Sequence, residues 1–345
     1  MALTARDAAV ILRVFQCRAV PAQATYLFAR AFDRDGGGDN WSKRLRLLYD
    51  AGWLSRFYVP QSQYLAGSPW PVYCVESGVA SRAAELGRPW RLIDRPARAR
   101  LAALSGGTRD QVLQLLTGRH GLDPEVVTAS LRASTDLALK LYSGEPCHIQ
   151  HVLLTATINA LLWHGLDAPP TCVAPDGARD LSEPGGDPLL PDTFFVVGET
   201  AVCVEAETGA SNRAKIRAKI ARYLGVRARL DALASELDTP IQRLRVLFHC
   251  ATPGHKRMVA ALIAEQAPEG TAVFLLSDST HLHLDFPQVY FRRNTPVAFE
   301  DGGGETPFYD ALASLTRRAL FAQVEGAEGA GARLGFVRFE DAIAG

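Results

Sequence analysis

The chain has 345 residues, 48% of them hydrophobic, which is enough to bury a sizeable core and points to two domains or three. Lysine plus arginine and aspartate plus glutamate both total 37, so net charge predicts no partner, and any affinity for a polyanion must come from local patches. The six cysteines (Cys17, Cys74, Cys147, Cys172, Cys203, Cys250) form no C-x-x-C pair and sit mostly among apolar residues, which argues against a disulfide framework or a zinc site and for buried thiols in a reducing compartment.

Met1 to Val20 alternates apolar residues with Arg6, Asp7, Arg13 and Arg18, unlike the uninterrupted apolar run of a signal peptide. No window is apolar for the roughly 20 residues a membrane helix needs. The expectation is a cytoplasmic protein with no membrane partner.

Ala8, Val10, Ile11, Leu12, Val14 and Phe15 recur at helical spacing after Thr4, a plausible cap, and a second helix runs from Ala22 to about Phe32. Asp33 to Asn40 is a loop by composition. Asn40 or Ser42 then caps a helix that Gly52 stops. Leu45, Leu48 and Tyr49 share one face of it, whereas Ser42, Lys43 and Arg46 project from another near its start, where a recognition helix meets a major groove.

Two short strands follow, around Trp53–Val59 and Pro71–Val75, the first carrying Arg56 and the pair reading as a wing; a helix from Glu76 to Gly87 closes the module. Residues 1–95 thus read as a winged helix-turn-helix. They carry 13 Lys and Arg against 8 Asp and Glu, a net of 13 − 8 = +5, the sign that binding to double-stranded DNA requires. The same module also serves for protein docking or dimerisation, and a homodimer fits it.

Residues 96–145 read as a helical connector without a motif that carries chemistry, broken at Pro96, Gly106–Gly107 and Pro124. Residues 146–345 form the second domain. Cys147 to Trp163 is an apolar helix with His148 and His151 at its start, and Ala168 to Leu190 is a Pro-rich and Gly-rich loop. Pro191–Val197 and Ala201–Glu207 are successive strands.

Because strand side chains alternate, Glu205 and Glu207 share a face, and the hairpin brings Asp192 toward that end. Crowded carboxylates repel unless neutralised, and a hard divalent cation, Mg²⁺ or Mn²⁺, is the usual answer. The helix after Ser211 turns Ile216, Ile220 and Leu224 inward and carries Lys215, Lys219 and Arg222 on a neighbouring stripe, with no acid before Leu230. Cations that can hold a phosphate therefore stand beside the acids. The bland alternative is an edge strand ending in solvated acids, worth under about 1 kcal/mol per ion pair.

Pro191-Asp192, Glu205-Ala-Glu207 and the helix that follows resemble the core of the PD-(D/E)XK nuclease superfamily. More narrowly, His151, Pro191-Asp192, Glu205-Ala-Glu-Thr-Gly209 and Lys219-Ile-Ala-Arg-Tyr223, behind a winged helix, resemble the bacterial replication-relaxation family, over about Ala8 to Leu276. The resemblance implies a mixed α/β chain, a winged helix-turn-helix followed by a restriction-endonuclease-like sandwich, engaged in plasmid or mobile-element DNA processing.

It further implies that Asp192, Glu205 and the Ala206 carbonyl hold the metal, that Glu207 adds a ligand or orients water, and that Lys219 or Lys215 stabilises charge on the phosphate. Glu207 stands where active enzymes of the superfamily carry lysine. That departure leaves two readings: Mg²⁺-dependent nicking, or a catalytically inactive regulator or replication accessory that uses the fold for DNA grip or dimerisation.

Farther on, Arg243–Ala251 and Thr271–Ser277 are strands around the helix Lys256–Gln266. Thr252-Pro-Gly-His-Lys-Arg reads as a helix cap, His281-Leu-His-Leu-Asp285 as a weak metal-ligand pattern, and Glu325 to Ala332 as a flexible connection to a last strand at Arg333–Phe339.

Overall fold

The computed structural model describes residues 2–32, 41–58, 71–87, 90–145, 147–166, 170–174, 179–209, 211–278, 320–329 and 331–344. The fold is mixed α/β, and the chain divides into two compact units, Met1–Ala160 and Leu161–Gly345. The His281–Asp285 stretch lies outside the described residues. Among the described residues, no helix is long and apolar enough to cross a membrane.

The first unit opens with α1 (Ala5–Gln16), whose start is fixed by a capping box: Asp7 N–H donates to Thr4 Oγ1, and the Thr4 N–H donates to Asp7. β1 (Ala19–Pro21), α2 (Ala22–Phe32) and α3 (Trp41–Asp50) follow, then β2 (Ser55–Tyr58) and β3 (Pro71–Cys74). The three strands form an antiparallel sheet in the order β1-β3-β2, with Val20 opposite Tyr73 and Phe57 opposite Val72. β1 went unread in the sequence because three residues give no period-2 signal. Ser42 lies within α3, so it does not cap that helix.

Helix α3 stops at Gly52, whose φ of +75° suits a residue without a Cβ. Its Leu45 and Leu48 are buried. Arg44 anchors it to α1 by pairing with Asp7, to whose Oδ1 its Nε donates at 2.8 Å. Burial works against the Asp7 carboxylate, but Arg44 and Thr4 outweigh it and hold its pKa below the usual value. Arg44→Ala is expected to cost about 2–3 kcal/mol, since it strips a charged donor from a buried acceptor; urea denaturation measures it, and a change within experimental error would mean that α3 is held by its apolar side alone.

Next come α4 (Val79–Glu85), a 3₁₀ turn (Trp90–Leu92), α5 (Arg95–Leu104), α6 (Gly106–Gln114), a π-helical turn (Leu115–Arg119) and α7 (Pro124–Ser143). Helix α4 begins at Gly78 without a side-chain cap, and the buried Glu76 takes over: its carboxylate accepts from Ala80 N, Ser81 N and, at 2.6 Å, Ser55 Oγ. The stretch read as a connector contributes Leu101, Leu137, Ala138 and Leu139 to the same core cluster as Ala19, Phe57 and Val72. Helix α8 (Ile149–Gly165) straddles the boundary between the units.

The second unit is built on a seven-stranded sheet. In chain order it holds β4 (Thr171–Ala174), β5 (Thr193–Val197), β6 (Thr200–Glu207), α9 (Arg213–Arg227), α10 (Leu230–Leu237), β7 (Arg243–Cys250), α11 (Pro253–Gln266), β8 (Phe274–Asp278), β9 (Leu320–Glu328), β10 (Gly331–Arg338) and α12 (Phe339–Ala344). The strand order is β10-β9-β8-β7-β6-β5-β4, parallel across β6, β7 and β8 and antiparallel elsewhere. Helices cross between parallel strands because such neighbours cannot be joined by a tight turn.

Three features differ from expectation. β6 is an interior strand, buried along its whole length, so its acids do not end a solvated edge. Part of the Pro-rich and Gly-rich loop is strand β4. The segment Glu325 to Ala332, read as a flexible connection, supplies the end of β9 and the start of β10, and the unread first half of β9 buries Phe321, Ala322 and Val324.

Candidate acid–lysine site

Strand β6 turns Ala201 and Cys203 into the core shared with Ile216, Ile220 and Tyr223 of α9. Glu205 and Glu207 have the same parity and so face the same helix. The register carries that row across the sheet: Glu205 stands beside Phe248, and Glu207 beside Cys250, which stands beside Asp278. At the end of β6 Gly209 adopts φ +89°, after which Asn212 caps α9 by accepting from Lys215 N at 2.9 Å.

Lys219 and Tyr223, one helical turn apart on α9, reach the two acids. Lys219 Nζ lies 2.8 Å from Glu205 Oε2 and 3.2 Å from Glu207 Oε1. The Tyr223 hydroxyl donates to Glu205 Oε1. Asp192, just before β5, accepts from Ala206 N at 2.7 Å and so pins the Pro-Asp turn to the backbone between the two acids.

The Glu205 carboxyl is 1% exposed, and burial pushes its pKa up to about 7, against the pull of Lys219 and with the help of the Asp192 charge. Burial also opposes the Lys219 ammonium, but Glu205 and Glu207 outweigh it and raise its pKa. Tyr223 is fully buried and shifted upward by burial and then by Glu205. Lys219 therefore keeps its charge throughout the neutral range, while Glu205 titrates within it.

A second acid–lysine pair stands farther along the same row. Lys256, in the first turns of α11, lies 2.7 Å from Asp278, which is 1% exposed. Between the pairs sits Cys250, its thiol pushed up to about 12 by burial and then by Glu207. On the opposite face of the sheet the buried His249 Nδ1 is 3.0 Å from Ser277 Oγ.

Asp192, Glu205, Glu207 and Lys219 thus converge. Lys215, the other lysine expected to serve, is exposed, and no ion pair joins it to the acids among the described residues. Arg222 turns to the loop before β5, donating to Pro188 O at 2.6 Å. Tyr223 entered the sequence reading only as the end of the Lys219-Ile-Ala-Arg-Tyr223 motif, with no role of its own, although it lies one turn from Lys219. Lys256 and Asp278 are 22 positions apart, and spacing gives no clue to that pair.

Asp192 and Glu205, expected as ligands of Mg²⁺ or Mn²⁺, are engaged otherwise. Both Glu205 oxygens are occupied, by Tyr223 and Lys219, and one Asp192 oxygen holds the Ala206 amide. No group of three or more His, Cys, Asp or Glu side chains among the described residues stands where it could hold a metal ion. As arranged, the donors do not fit a divalent cation; the Lys219 ammonium fills the neutralising position.

In the first unit, Ser42, Lys43 and Arg46 of α3 are exposed, Arg46 lying 3.7 Å from Asp50 one turn on. Arg56 does not project freely: its guanidinium lies 4.5 Å from the ring centre of Tyr49 and 5.6 Å from that of Tyr58. Comparison of the chain with family models, with curated proteins and with solved structures returns no match.

Proposed function

We propose that the chain binds double-stranded DNA through α3 and acts as a regulator or replication accessory, with a nuclease-like second unit whose acid–lysine site is catalytically silent. The observation that carries the reading is the two-sidedness of α3: Leu45 and Leu48 are buried, Arg44 is tied to Asp7, and Ser42, Lys43 and Arg46 are exposed, Arg46 beside the exposed Asp50. The flanking elements support a winged helix-turn-helix, with β2 and β3 as the wing and β1 as its third strand. Arg56, stacked on two tyrosines, braces the wing against α3 and reaches DNA less readily than Lys43.

The silent site is supported by the saturation of Glu205 and by glutamate at position 207. One observation favours the second reading, metal-dependent nicking in plasmid or mobile-element replication: three carboxylates and a lysine do meet at one strand end.

Titration of duplex DNA at several salt concentrations, with Lys43→Ala and Arg46→Ala, tests the binding. Withdrawing one cation from a phosphate should lower the slope of log K against log salt by about 0.9. Unchanged binding in both variants would remove α3 from the interface. Supercoiled plasmid with Mg²⁺ or Mn²⁺, beside Asp192→Ala and Glu205→Ala, separates the two readings: intact plasmid is the expected result, and nicking that both substitutions abolish would establish a metal nuclease.

A further inference from the structure

The first unit carries a second group of exposed arginines, on elements where the sequence showed no chemistry. Between Arg91 and Arg109 the chain has five arginines and one acid, Asp94. That acid is committed: it caps α5 by accepting from Ala97 N at 2.8 Å. Arg98 is committed too, its Nε donating to Ile93 O at 2.8 Å. Arg91, Arg95, Arg100 and Arg109 are all exposed, and none of the four has an ion pair among the described residues.

Several other arginines of the described residues do meet acids. Arg213 and Arg217 share Glu265, Arg179 meets Glu236, Arg229 meets Glu183, and Arg46 meets Asp50. Five arginines against Asp94 and the exposed Asp110 give residues 91–110 a net of 5 − 2 = +3, a local charge that a chain of zero formal net charge does not predict. Guanidinium is also the side-chain group best matched to phosphate oxygens.

The α6 end of the segment meets the C-terminal end of α3. Thr108, in α6 and next to Arg109, packs against both Gly52 at the end of α3 and Gly78 at the start of α4: a Cβ on Gly52 would lie 3.8 Å from its hydroxyl, and one on Gly78 3.1 Å from its Cβ. The segment therefore shares a compact unit with α3 and meets it just beyond Asp50, at the end away from Ser42 and Lys43.

We propose that Arg91, Arg95, Arg100 and Arg109 form a second phosphate-backbone contact surface that extends the duplex footprint beyond α3. The surface rests on the duplex-binding reading above, and it reads backbone charge, not base sequence.

The test uses the full chain. Arg91→Gln, Arg95→Gln, Arg100→Gln and Arg109→Gln, singly and combined, are compared with Lys43→Ala for duplex binding over a range of salt, with thermal unfolding as the control for folding. Exposed arginine-to-glutamine changes should leave the melting temperature in place. Every arginine withdrawn from the phosphate backbone should lower the salt slope by about 0.9, so the combined variant should lose roughly three units or more and weaken binding alike for unrelated sequences.

If Lys43→Ala weakens binding and the combined variant binds as the parent does, the second surface is overturned while α3 stands. If the parent itself binds no duplex, the underlying reading fails first. Phosphatidylserine vesicles retained by the parent and released by the combined variant, with duplex binding untouched, would reassign the surface to an anionic membrane and overturn the proposal.

Discussion

Lys219→Met should destabilise the protein by about 3–5 kcal/mol, the range for removing one partner of a buried ion pair. Methionine keeps most of the unbranched stem, so packing on α9 is nearly conserved while the ammonium is lost. What remains is a pair of carboxylates 1% and 5% exposed with no cation between them. Glu205 can answer by taking up a proton, as its pKa of about 7 with the lysine present already foreshadows. The destabilisation should therefore be larger well above pH 7 than below it.

Denaturant unfolding of the parent, Lys219→Met, Glu205→Gln and the double variant closes a thermodynamic cycle. The double variant should recover part of the stability that Lys219→Met removes, because the charge that lacked a partner is gone. A cost under about 1 kcal/mol for Lys219→Met, with no coupling, would place the pair among ordinary solvated ion pairs and remove the argument that Lys219 holds the cation position.

The alternation in Val202–Glu207 was enough to place Glu205 and Glu207 on one face, and the periodicity of α9 was enough to put Lys219 over them, because both are local consequences of backbone geometry. The interior position of β6 was not legible. It depends on which strands lie beside it, β5 from the adjacent hairpin and β7 from beyond two helices, and no local pattern encodes the second. Of the hairpin β9–β10 only the second strand was read; the end of β9 hid behind Gly, Ala and Glu, residues of low strand preference that tertiary packing overrode.

In the first unit α1 and α3 were legible from their apolar spacing, whereas the tie between Arg44 and Asp7 spans 37 positions and shows only in three dimensions. The arginines of 91–109 were visible as letters but carried no weight, since a charge run in sequence does not reveal whether acids lie opposite it. That Arg91, Arg95, Arg100 and Arg109 have no ion pair among the described residues, although Asp94 and Asp110 lie in the same stretch, is a property of the fold.

The pH profile of stability gives the sharpest test of how Glu205 is held. Its pKa in the folded protein is raised to about 7 from 4.5, first by burial. The folded state therefore binds more protons than the unfolded state between these values, and stability contributed by this group is fully present below about 4.5 and is lost as pH rises through about 7. For a single proton the decline cannot exceed about 1.4 kcal/mol per pH unit.

Other carboxylates act in the opposite sense, Asp7 among them, since a lowered pKa withdraws stability as pH falls. The informative quantity is thus the difference between the parent and Glu205→Gln. Glutamine preserves the shape and one acceptor oxygen, but it does not titrate. Subtraction should leave a curve that falls between about pH 4.5 and about pH 7 and is flat outside. A difference curve that instead rises with pH would mean that Lys219 and Tyr223 stabilise the Glu205 carboxylate more than burial penalises it. Glu205 would then be a permanently charged member of the row, and the carboxylate would be available to a cation whenever Lys219 moved aside.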